Sequence, residues 1–163
     1  MDEPLPLETC ILVLGLGNVL RQDEGLGPQA LERLRAGHVF PPQVRLLEGG
    51  TLGLDLLPYL DGVTHLLILD AVEMGQPGGS LVRLDGDEIM AGLAQKLSVH
   101  QVGLPELLAL AGLQGNLPPN RVLLGLQPAA LDWGTELSEP VAAALDDLVA
   151  AAVAQLNRWS ATP

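Results

Sequence analysis

The stretch ILVLGLGNVLRQDEGLGPQALERL, Ile11 to Leu34, decides the fold class and raises the functional question. Cys10–Leu14 is a compact aliphatic run of strand character that enters the turn Gly15-Leu16-Gly17. Pro28–Ala36 then reads as a helix, with Pro28 in its first turn, Ala30, Leu31 and Leu34 on one face, and Gly37 as a stop. Strand, glycine turn and helix together are the opening of an α/β unit, a layout that often holds phosphate on the helix N-terminus. Here Asp23 and Glu24 stand where a phosphate site needs backbone N–H groups and no anion.

Working outward, four more runs read as strands: Val44–Leu47, His65–Leu69, Ser80–Leu84 and Arg121–Leu126. Helical patterns fall at Leu52–Leu60, at Leu104–Ala111 between Pro105 and Gly112, and at Glu139–Trp159. In the last, Leu145, Leu148, Val149, Ala152 and Leu156 share a face. Strands alternating with helices predict a three-layer α/β sandwich: a mostly parallel, twisted sheet of five strands with helices on both faces. One connection departs from this pattern. Only residues 70–79, with the turn Pro77-Gly78-Gly79, separate the third and fourth strands, whereas a parallel crossover needs roughly a dozen residues or more. The fourth strand is therefore expected to be antiparallel and at or near an edge.

Composition narrows the class. The 163 residues are 48% hydrophobic and 17% charged, which fits a single folded domain spanning 1–163 with a sizeable core. The lone Cys10 rules out an internal disulfide and any multi-cysteine metal site. A net charge of −12, with Lys96 the one lysine, argues against nucleic acid as a partner. The aromatics Trp133, Trp159, Phe40 and Tyr59 are too scattered to form a base-stacking platform. The opening MDEPLPLET lacks the basic, apolar pattern of a signal peptide, and the run Leu148–Ala154 is too short to span a bilayer. A cytoplasmic location without membrane attachment is expected, and a monomer is compatible with everything so far.

In open α/β sheets, ligands bind beyond the carboxyl ends of the parallel strands. Glu24 follows the first strand, Glu48 ends the second, and Asp70 ends the third in LLILDAVEMG. His100 precedes a helix that must descend before the strand at Arg121, which places it at the same edge. Topology thus predicts that Glu24, Asp70 and His100 converge. A dinucleotide reading fails on the missing third glycine and on the two carboxylates, although Glu48 could mimic a ribose ligand. Nucleophilic hydrolysis lacks a G-x-S-x-G elbow, and Ser80, Ser98, Ser138 and Ser160 show no base partner. Two carboxylates and an imidazole form a partial ligand set for nickel, zinc or iron. Each member also has an ordinary structural explanation: helix charge for Asp23 or Glu24, turn residue for Asp70, buried hydrogen-bonding group for His100. At this level the two readings stand even, and His38 and His65 read as structural.

At these residues the chain resembles the nickel–iron hydrogenase maturation endopeptidases. The resemblance runs in order through Gly15-Leu16-Gly17-Asn18-Val19-Leu20, Asp23-Glu24-Gly25-Leu26-Gly27, LLEGGTLGLDLL, LLILDAVEMGQPGGSL, SVHQVGLPELLALA and LLGLQPAALDWGTELSEPV, and so covers nearly the whole chain. The last two blocks are closer to the uptake-hydrogenase branch. The resemblance implies an endopeptidase that removes the C-terminal peptide of a hydrogenase large-subunit precursor after nickel insertion. It implies that Glu24, Asp70 and His100 recognise nickel carried by that precursor, with no stored cofactor. Asn18, Gly49, Gly50 and Thr51 are expected to shape the cleft. A non-catalytic nickel-dependent chaperone, or a nucleotide-binding module, remain the alternatives.

Overall fold

The computed structural model describes residues 8–50, 53–94 and 104–161; Thr51 and His100, both named above, lie outside them. In chain order the elements are β1 (Ile11–Leu16), α1 (Leu26–Gly37), β2 (Val44–Gly50), β3 (His65–Ala71), β4 (Leu81–Asp85), α2 (Glu88–Ala94), α3 (Leu104–Leu113), β5 (Asn120–Leu126) and α4 (Glu139–Ala161). Two 3₁₀ segments, Gln22–Gly25 and Gly53–Leu60, join them.

The strands form one sheet in the order β2-β1-β3-β5-β4. The pairs β1–β2, β1–β3 and β3–β5 are parallel, and β4 closes the edge antiparallel to β5. The short link between β3 and β4 accounts for that reversal, as expected from its length. It is held by buried Gln127, whose Oε1 accepts the amides of Met74 at 2.6 Å and Gln76 at 3.2 Å.

Side-chain alternation along the strands divides the core in two. Ile11, Val13, Leu67, Leu69, Val122 and Leu124 pack beneath α1 and α4. Leu12, Leu14, Leu66, Ile68 and Leu123 pack on the other face, against Leu56 and Leu60, Ile89 of α2, and Leu104, Leu107 and Leu108 of α3. Each fully buried leucine removes enough apolar surface to stabilise the fold by about 1.5–3 kcal/mol. Among the described residues no helix is long and apolar enough to cross a membrane.

Two expectations need correction, and one element is added. β1 does not stop at Leu14: Gly15 pairs with both Glu48 and Leu69, and the ladder with β2 carries the strand through Leu16. The segment expected as a helix at Leu52–Leu60 is a 3₁₀ run, Gly53–Leu60, with Pro58 inside it. Proline supplies no N–H for an α-helical ladder. Helix α2 is new, because its seven residues are too few to show a 3.6-residue period.

Candidate active site

The carboxyl ends of β1 and β3 are neighbours in the sheet, and the 3₁₀ turn Gln22–Gly25 crosses above them before α1 begins. Close backbone approach requires glycine here. A side chain on Gly27 would strike the carbonyl oxygens of Leu16 and Leu69, so its absence seats the start of α1 directly on both strand ends. Gly17 has φ +131°, and a Cβ there would collide with the carbonyl of Glu24 while lying 3.8 Å from Oδ1 of Asp70. One glycine thus lies against the backbone of Glu24 and close to the carboxylate of Asp70, the two residues that topology predicts to meet.

Both are buried, Glu24 at 4% exposure and Asp70 at 2%. Asp70 Oδ1 accepts the amide of Ala71 at 2.8 Å, which fixes the side-chain orientation. Opposite it on β5 stands Gly125, where a Cβ would collide with the Asp70 carbonyl. Arg21 places its Nε 3.6 Å from Glu24 Oε2, an ion pair within one turn. Among the described residues no three histidine, cysteine or acidic groups gather into a metal-binding cluster. Glu24 and Asp70 are brought to one edge, and the His100 expectation lies outside the described residues. Two carboxylates offer hard, anionic donors to a divalent cation that carries its remaining ligands with it.

Asp23 has a different role from its neighbour. It is fully buried, and its oxygens accept four hydrogen bonds. Oδ2 takes the amides of Ala129 and Ala130 at 2.8 Å each and the Ser138 hydroxyl at 2.7 Å; Oδ1 takes the Ser138 amide at 2.7 Å. This carboxylate ties the loop after β5 to the loop after β1. Ser138 thus has a carboxylate partner that its sequence surroundings do not reveal. A buried acceptor saturated by four donors serves as a clamp and has no capacity left to activate the hydroxyl. No local signal in the sequence distinguishes Asp23 from Glu24, because its partners lie more than a hundred residues away.

The loop is closed to phosphate for a specific reason. The amides of Gly17, Arg21, Gln22, Asp23 and Glu24 donate to the carbonyls of Gly50, Asn18, Gly134, Ala130 and Arg21, and that of Leu20 to Asn18 Oδ1. A nucleotide cradle needs such donors free. Asn18 therefore shapes the loop. Gly50 does so through its carbonyl, and Gly49 by leaving room for the side chains of Leu16 and Leu56. Glu48 is exposed and lines an open cleft of about 340 Å³ with Val19, Pro28, Gln29, Glu32 and Arg33.

Comparison with known proteins bears on what this edge does. Residues 28–155 match the family model described as hydrogenase maturation protease. The chain belongs to that family. It is 44% identical over 151 residues to the hydrogenase expression/formation protein HupD of Rhodobacter capsulatus, covering 91% of this chain and 72% of that protein. It is 34% identical over 149 residues to the hydrogenase 2 maturation protease of Escherichia coli, covering 90% of each. The solved structure of the E. coli hydrogenase maturating endopeptidase HybD superposes with a TM-score of 0.88 at 33% identity, over 92% of this chain and 93% of that one. As a hydrogenase maturation protease, the chain is a hydrolase acting on peptide bonds, and its five-stranded mixed sheet is the family fold.

Proposed function

We propose that this protease removes the C-terminal extension of a nickel–iron hydrogenase large-subunit precursor once nickel is in place, reading that nickel through Glu24, Asp70 and His100. The observation that carries the reading is the burial of Glu24 and Asp70 close to Gly17, at the sheet edge where α/β enzymes bind their ligands. Identity of 44% to HupD favours a precursor of the uptake-hydrogenase type. Nickel is then part of the substrate, supplied by the precursor rather than stored by the protease.

The chain's own contribution follows from its donors. Glu24 and Asp70 present two negative charges at a desolvated edge, so they attract a precursor-borne dication and offer little to a nickel-free precursor. Nickel in that position supplies Lewis acidity toward a nearby carbonyl. Glu24, with one carboxylate oxygen against Arg21, is the group suited to accept a proton from an attacking water. Gly17 and Gly27 let the 3₁₀ turn and the start of α1 close down on the strand ends, which holds both carboxylate residues at that edge.

The test is to mix the purified protease with nickel-loaded and with nickel-free precursor and to measure intact mass. Loss of a short C-terminal peptide from the loaded form alone is expected. Tight binding without any loss of mass would favour a chaperone that inspects the precursor and does not cut it.

A further inference from the structure

One charged group at this edge has no role of its own in the scheme above: Arg21. It is 23% exposed and held from three sides. Its Nε and Nη2 both donate to the carbonyl oxygen of Leu131, at 3.2 and 2.9 Å. Its guanidinium carbon lies 5.1 Å from the centroid of the Trp133 ring. Its Nε also lies 3.6 Å from Glu24 Oε2. The backbone is pinned as well, since Gln22 donates to Gly134 and Gly134 donates to Leu20, each at 2.8 Å. A permanent cation is therefore built against one of the two carboxylates instead of sampling solvent.

We propose that Arg21 is a specificity-determining residue, the resident counter-cation of Glu24, which lowers the affinity of the edge for free divalent metal and so reserves it for metal carried inside a precursor. The inference rests on the reading of Glu24 as a metal-facing carboxylate. A guanidinium and a dication compete for the same oxygen, and the fixed positive charge repels any cation entering beside it. A free ion must overcome that repulsion with few protein ligands. A precursor-borne metal arrives with its own ligands and a peptide surface, and those contacts offset the repulsion. The effect is opposite in sign to that of a bracing residue: loss of a brace loosens the site and weakens metal binding, whereas loss of the charge strengthens it.

The test is calorimetric titration of the full chain with nickel chloride. The variants are Arg21→Gln, Arg21→Lys, Glu24→Gln and the Arg21→Gln/Glu24→Gln double, each checked for native circular dichroism. Arg21→Gln is expected to bind free nickel about three- to tenfold more tightly, the scale of one unit charge removed at a partly buried distance. Arg21→Lys keeps the charge and should stay near wild type, and the double variant should fall to the level of Glu24→Gln. Arg21→Met, which keeps the apolar stem over Trp133, carries the same expectation as Arg21→Gln and replaces it should that variant not fold. Unchanged or weaker nickel binding in the neutral variants, or no binding by any form, overturns the inference. Binding that depends on Glu24 but ignores Arg21 overturns the inference alone; binding that ignores Glu24 overturns the reading of the site itself.

Discussion

Asp23 and Ser138 stand 115 positions apart and are joined twice, amide to Oδ1 and hydroxyl to Oδ2, each at 2.7 Å. With the amides of Ala129 and Ala130, these bonds make one buried carboxylate the clasp between the loop after β1 and the loop before α4. Asp23→Ala would strand three backbone donors, at a cost of about 3 kcal/mol or more. Ser138→Ala removes one hydroxyl and keeps the amide bond, so about 1 kcal/mol is expected. Urea unfolding of the two variants measures the difference, and equal midpoints would contradict the clasp.

Gly17 and Gly37 predict opposite outcomes for the same substitution. Gly17→Ala drives a methyl group into the Glu24 carbonyl from a backbone with φ +131°, so both stability and processing should fall. Gly37, at the exposed end of α1, has open space around it. There alanine should be neutral or stabilising by up to about 1 kcal/mol. Thermal melts together with a precursor-cleavage assay separate the two.

Glu24→Gln and Asp70→Asn preserve shape and remove charge. Each is expected to lower the processing rate by on the order of 10²-fold or more, since even the loss of partners outside a metal's direct ligands costs 10- to 100-fold. Melting temperatures should remain close to wild type. Full-rate cleavage of loaded precursor by both variants would remove these residues from the site.

His65 sets a pH dependence unrelated to catalysis. Its ring lies 5.0 Å from that of Trp159 and its Nδ1 is 2.8 Å from Thr64 Oγ1; partial burial lowers its pKa below the ordinary 6.5. The unfolded chain then takes up a proton at higher pH than the folded one, so stability holds above pH 6.5 and declines as pH falls below it. Urea midpoints measured between pH 7.5 and 5 should decrease, and His65→Gln should flatten that part of the curve.

Much of this was legible in the residues. The strand at His65 and the antiparallel edge at Leu81–Asp85 follow from aliphatic runs and from the length of the connection between them. Glu24 and Asp70 are legible as candidates because both follow parallel strands, a position that topology alone gives. Helix α2 is not, because a seven-residue helix leaves too short a pattern. Nor is the clasp, since Asp23 and Glu24 are adjacent carboxylates with the same local propensities.

The sequence by itself determined the layering, the direction of the strands and the edge at which chemistry is possible, because hydrophobic period and connection length act locally. Tertiary structure alone decided which of two neighbouring carboxylates serves as a clasp and which is paired with Arg21. That division depends on donors supplied by the loop from Ala129 to Ser138, and only the folded sheet brings those donors to Asp23.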